Sequence, residues 1–129
     1  MKKRVLFYLH KFIYLFLIVF SVSIISCGPA KQVEHGEASY YHNKYRGKPT
    51  ASGKKFRQYK RTAAHKTLPF GTKVKVTNLR NGKKVRVTIN DRGPFVEGRI
   101  IDLTRKAARK VDMLNDGVAP VKLEYRIKK

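Results

Sequence analysis

The feature that most limits what this chain can fold into is an Asn-Gly pair, Asn81-Gly82, set between two stretches of regular alternation. Before it, Thr72 to Thr77 puts Val74 and Val76 on one face and Lys73 and Lys75 on the other. After it, Val85, Val87 and Ile89 oppose Lys84, Arg86 and Thr88. Successive strand residues point to opposite faces, so each stretch reads as a half-buried strand. Asn and Gly both tolerate positive φ, which makes the pair a strong hairpin signal and predicts that the two strands run antiparallel. Gly36 to Tyr41 predicts a first strand, Arg99 to Leu103 a short one and Val121 to Ile127 the last. Asn43 to Arg61 is polar and carries Gly47, Pro49 and Gly53, so it reads as a long loop that walls a groove. Thr104 supplies an N-cap oxygen for a helix through about Val111, with Ala107, Ala108 and Val111 as its apolar stripe. Short strands, one short helix and frequent turns predict a mainly β fold, a small barrel.

The 129 residues leave room for one compact domain, but the apolar residues are unevenly spread. Met1 to Lys11 carries Lys2, Lys3, Arg4 and Lys11 with no acid, and Phe12 to Ile25 is apolar yet short of the roughly 20 residues of a comfortable span. This is a signal-peptide pattern. Its end, Ile24-Ile25-Ser26-Cys27-Gly28, resembles a bacterial lipobox, with an aliphatic residue three before the cysteine and a small one just before it. The expected organisation is a lipoprotein signal peptide over 1–26, a tether over 27–35 carrying lipid on Cys27, and a domain over 36–129. Gly28 lacks the acidic character associated with inner-membrane retention, so the outer membrane is the expected anchor, with the domain facing the periplasm.

Thirty Lys and Arg stand against eight Asp and Glu, a net charge of +22, and loss of the four basic leader residues leaves +18. Such a balance in a cytosolic chain points to nucleic acid. Export substitutes peptidoglycan carboxylates or anionic headgroups, and the chain has no interleaved aromatic-basic motif, so no nucleic-acid partner is expected. The single cysteine excludes an internal disulfide. His35 and His42 show no ligand spacing with acids or cysteine, so no metal or other cofactor is expected.

Five blocks carry a resemblance: Gly36 to Tyr41, Thr50-Ala51-Ser52-Gly53, Thr62 to Thr72, Asn90 to Phe95, and Gly98 to Leu103. In that order they resemble the rare lipoprotein A (RlpA) family of septal-ring lytic transglycosylases. The resemblance implies a double-psi β-barrel, a lipid-anchored envelope location, and endolytic cleavage of peptidoglycan between N-acetylmuramic acid and N-acetylglucosamine with closure of a 1,6-anhydro ring. It also implies Asp91 as general acid and then base, and His65 as a second functional position that orients Asp91 or the sugar. Asp91 follows Ile89 by two at a strand end, where Gly93 and Pro94 turn the chain, so its carboxyl belongs at a cleft rim. An apolar surrounding raises its proton affinity while Arg92 lowers it; pairing with Arg92, or capping of the turn, is the structural alternative. Asn90, Arg92, Tyr40 and Tyr41 are the expected substrate contacts, with one of the two tyrosines packing inward. Asp102, next to Thr104, reads as a helix-entry device rather than a second catalytic acid.

One position departs from the family. Many members carry Glu directly after the Thr-Ala-Ser-Gly block, where this chain has Lys54. A lytic transglycosylase can work with one acid, because its nucleophile is the substrate's own C6 hydroxyl and no second carboxylate has to activate water. The alternative is a peptidoglycan-binding envelope lipoprotein without catalysis, in which Lys54 and its basic neighbours hold anionic wall material. The sequence ends just after the last strand, without the C-terminal repeat domain of many relatives, so division-site targeting is not expected.

Overall fold

The computed structural model describes residues 2–20 and 27–128; the lipobox residues Ile24 to Ser26 lie outside them. In the leader, Lys2–Phe20 form a helix, α1. No helix among the described residues is long and apolar enough to cross a membrane. The rest of the chain is built from β1 (Gln32–Tyr40), β2 (Thr62–His65), β3 (Lys73–Asn78), β4 (Lys84–Asp91), β5 (Arg99–Leu103), a one-and-a-half-turn helix α2 (Arg105–Lys110) and β6 (Ala119–Tyr125). The strands close into a barrel in the order β1-β5-β2-β4-β3-β6. β1 with β5 and β2 with β4 run parallel, and the other four contacts are antiparallel.

Alternation sets the inside of the barrel. Val74 and Val76 face Val87 and Val85 across the β3–β4 pair, and all four are buried. Ile89, Ile101, Leu103, Val121 and Leu123 complete the wall, and Ala107, Ala108, Val111 and Met113 plug one end from α2 and the turn after it. Thr104 caps α2 as predicted, accepting from Ala107 N at 3.4 Å and donating to Lys60 O at 2.5 Å.

Two expectations need correction. The first strand begins at Gln32, so the last four residues of the expected tether, Gln32 to His35, belong to the barrel, in a strand paired antiparallel from Gln32↔Tyr125 to Ala38↔Ala119. Gln32, Val33 and His35 are exposed, so they join through ladder hydrogen bonds rather than core burial and leave no hydropathy signal. At Gly36, further along, a Cβ would lie 2.7 Å from Ile100 Cγ2, so only glycine lets β1 pass this close to β5. The hairpin also forms differently. The turn spans Leu79 to Lys83, closed by Asn78 N donating to Lys83 O and Gly82 N to Asn78 O, and only Gly82 of the pair has positive φ. Asn81 instead donates its amide to Val111 O at 3.0 Å, beside Asn78, which does so at 2.9 Å. These two amides satisfy the carbonyl at the end of α2, so the hairpin and helix are tied together.

Candidate active site

The register brings two carboxyls into one row. Asp91 at the end of β4 is opposite Ala64 on β2, Ala64 is opposite Asp102 on β5, and Asp102 is opposite Ser39 on β1. Ala38, Ala63, Ile101 and Leu103, the sequence neighbours of Ser39, Ala64 and Asp102, belong to the core, so these three face away from it. The irregularity between Ile89 and Asp91 aligns Asp91 with Ala64 although Ile89, two residues before it, is in the core. A slip in register on each parallel pair, at Glu37/Ala38 and Ala63/Ala64, sets this alignment. The two aspartates are two strand spacings apart, about 10 Å between Cα atoms, with only the methyl of Ala64 between them.

Asp91 is seated by three donors. Tyr41 Oη donates to Oδ2 at 2.5 Å, and the backbone amides of Ala51 and Arg92 donate to Oδ1 at 2.8 Å each. The Ala51 amide comes from the Thr50-Ala51-Ser52-Gly53 block, which folds as a tight loop: Thr50 bonds Lys54 O through both its amide and hydroxyl, Gly53 takes φ +83°, and Ser52 N donates to Asn90 O. Burial, then the hydrogen bond and charge of Asp91, push the Tyr41 hydroxyl well above its ordinary value, so it remains a donor. Its ring packs against buried Phe56, with centroids 4.4 Å apart.

Asp102 was expected to serve helix entry, and the structure overturns that reading: Thr104 and Gln58 take the first amides of α2, while the Asp102 side chain turns to the cleft. Ser39 Oγ donates to its Oδ1. Burial raises its proton affinity, opposed by that hydrogen bond and by Arg99 and reinforced by the charge of Asp91. Both acids open on a cleft of about 580 Å³ that also exposes Tyr45 and Phe95, which is 88 % exposed.

The other sequence candidates divide. Tyr40 lines the cleft, but its hydroxyl is engaged with Leu114 O at 2.9 Å and its ring packs on the core. Tyr41 is committed to Asp91, so the exposed aromatic rings of the cleft are Phe95 and Tyr45, the latter with Lys44 and Lys48 over its ring; sequence reasoning missed both. Asn90 is half-buried beside Asp91, and Lys54 is exposed and does not line the cleft. Arg92 forms no ion pair with Asp91. Its guanidinium donates to the carbonyls of His65 and Leu68 at 3.2 and 2.9 Å and lies 4.1 Å from the Phe70 ring centroid.

His65 does not meet Asp91. Its Nδ1 accepts from the amides of Thr67 and Leu68 at 3.2 Å each. A backbone amide can only donate, so the neutral ring carries its proton on Nε2, which donates to Glu34 at 3.1 Å. The ring is almost wholly buried and clamps the turn whose carbonyls hold Arg92. This corrects its expected role as an orienter of Asp91: both ring nitrogens are occupied on another side of the strand.

The family described as "Lytic transglycolase" matches residues 33–123, which includes every strand and the whole cleft. The chain belongs to this family. Among its relatives, the "Endolytic peptidoglycan transglycosylase RlpA" of Pasteurella multocida is 57% identical over 89 residues, 69% of this chain and 30% of that protein. The "Probable endolytic peptidoglycan transglycosylase RlpA" of Synechocystis is 54% identical over 94 residues, 73% of this chain and 29% of that protein. The chain thus spans about a third of these relatives' length, and RlpA is the family that the ordered blocks resembled. The solved structure of the Streptomyces papain inhibitor superposes with a TM-score of 0.60 at 24% identity, over 75% of this chain and 96% of that one, and shows the fold, a double-psi β-barrel.

Proposed function

We propose that this barrel cleaves peptidoglycan glycan strands internally as a lytic transglycosylase, breaking the bond between N-acetylmuramic acid and N-acetylglucosamine and closing a 1,6-anhydro ring. The observation that carries the reading is Asp91: a carboxylate held by three donors at a strand end, in an open cleft with exposed aromatic rings. There it acts as the base that takes the proton of the C6 hydroxyl as that oxygen attacks C1. Tyr45 and Phe95 offer apolar faces to sugar rings, and Tyr41 and Ala51 fix the carboxylate so that little reorganisation is needed. Membership of the family and the names of the relatives support the same chemistry. The test is incubation of the full-length protein with purified glycan strands, with mass spectrometry of the products: anhydro-muropeptides support the reading, and binding without them leaves a wall-binding module.

The same reading puts the mature chain in the cell envelope, held by a lipid on Cys27 and expected at the outer membrane. Cys27 is exposed, and the five steps from it to β1 span at most about 18 Å. Fatty-acid labelling should therefore disappear in Cys27→Ala; retained label overturns the anchor.

A further inference from the structure

We propose that Asp102 is a second catalytic residue, the proton donor to the glycosidic oxygen, working opposite Asp91 across Ala64. This rests on the transglycosylase reading and divides between two groups the work that the sequence assigned to Asp91 alone.

The geometry separates the two carboxyls by what surrounds them. Asp91 is bound on both oxygens by groups that can only donate, or that donate in this arrangement, so neither oxygen faces an acceptor. Asp102 has a single side-chain partner, the Ser39 hydroxyl on Oδ1, and a hydroxyl can equally accept from a protonated carboxyl. Its Oδ2 points at the turn after Asp91: a Cβ built on Gly93 would lie 3.9 Å from it, and no protein donor reaches it among the described residues. Gly93, with φ +120°, puts no side chain beside Oδ2, which lies with Phe95 on the wall of the cleft.

The charged and titratable groups around Asp102 are few. Asp91 on β4 disfavours a second negative charge, Arg99 on β5 favours it, and Tyr41, His42, Lys44, Tyr45 and Arg92 also line the cleft. Two carboxyls that share a site divide into one that holds its proton and one that does not. The environment assigns the proton to Asp102.

The step then balances. Asp102 gives its proton to the bridging oxygen as the bond from C1 of N-acetylmuramic acid to that oxygen breaks. The C6 oxygen of the same sugar bonds to C1, and its proton goes to Asp91. One proton has entered the leaving group and one has been taken up, with no water consumed. Transfer from Asp91 to Asp102, directly or through solvent, restores the starting state. Ala64 leaves the space between the two groups free of side chain.

The test uses the full-length protein, purified glycan strands and three chains. Asp102→Asn keeps the acceptor for Ser39 and should lower the rate of anhydro-product formation by about 100-fold or more, with little change in KM and with loss of the alkaline limb of the pH profile. Ser39→Ala removes the bond that favours the Asp102 anion, so the alkaline limb should move to higher pH while activity persists. Carboxyl carbon NMR of the unmutated protein should show Asp102 titrating above Asp91. Asp102→Asn with near wild-type rate and an unchanged alkaline limb overturns the assignment, as does Asp102 titrating at or below Asp91. An unmutated protein that forms no anhydro product overturns the transglycosylase reading instead, and the NMR order still decides whether the two carboxyls are divided as inferred.

Discussion

His65 and Asp91 illustrate how far single residues could be read. Asp91 was legible in place, since the following Gly93-Pro94 turn predicted a carboxyl at a cleft rim and it lines the cleft, but strand parity put it on the face of the core residue Ile89, and the irregularity between the two residues carries it away from that face. His65 was not legible, because the resemblance marks a position as functional without saying which way its ring turns. Its amide-accepting Nδ1 and Glu34-bound Nε2 make it a clamp for the 65–68 turn, and through that turn a support for Arg92. His65→Gln should therefore lower unfolding free energy by about 1–3 kcal/mol, the usual cost of leaving buried polar groups unpaired. It should lower activity without moving either limb of the pH–rate profile, and thermal melts alongside a pH series check both halves. Asp102 escaped sequence reading because its neighbour Thr104 offers a sufficient local reason for an acid. Only the pairing of β2 with both β4 and β5 sets it beside Asp91.

Strands carried their own signal, but their partners did not. The alternation around Asn81-Gly82 located β3 and β4, and the limits of β5 and the cap of α2 were read correctly. Hydropathy does not encode which strands lie side by side, so the parallel contacts β1–β5 and β2–β4 came only with the barrel. The first residues of β1 were missed for a related reason, since they gain ladder bonds and no core. An ion-pair cluster secures this region. Glu124 on β6 pairs with Lys31 ahead of β1 and with Lys75 on β3 at 2.8 Å, and Lys122 stands 3.9 Å away. Lys31 first and then Lys75 pull the Glu124 carboxyl down from 4.5 to about 2. A carboxyl whose affinity for protons falls on folding adds stability above its unfolded value and loses it as pH drops through the folded one. Glu124→Gln should thus melt below wild type at pH 7, and the gap should narrow between pH 4.5 and 2 in melts across that range. A gap that stays constant with pH contradicts the account.

At the scale of the whole molecule, the net charge of +22 is the dominant field. Exposed basic residues act through a screened potential whose reach is about 8 Å at 0.15 M salt. Glycan binding in a pull-down should therefore weaken several-fold or more between low salt and 0.5 M. Binding that does not change with salt would transfer the affinity to the rings of Tyr45 and Phe95. Charge sets attraction, but the central claim concerns one carboxyl in the cleft. Asp91→Asn preserves shape: its amide oxygen can still accept from Ala51 and Arg92, and its nitrogen can donate to Tyr41. The decisive measurement is mass spectrometry of 1,6-anhydro products from purified glycan strands treated with wild type and with Asp91→Asn, at matched folding and matched glycan binding. The account predicts products from the wild type and a loss of about 100-fold or more in the variant; an Asp91→Asn protein that still releases them at the wild-type rate contradicts it.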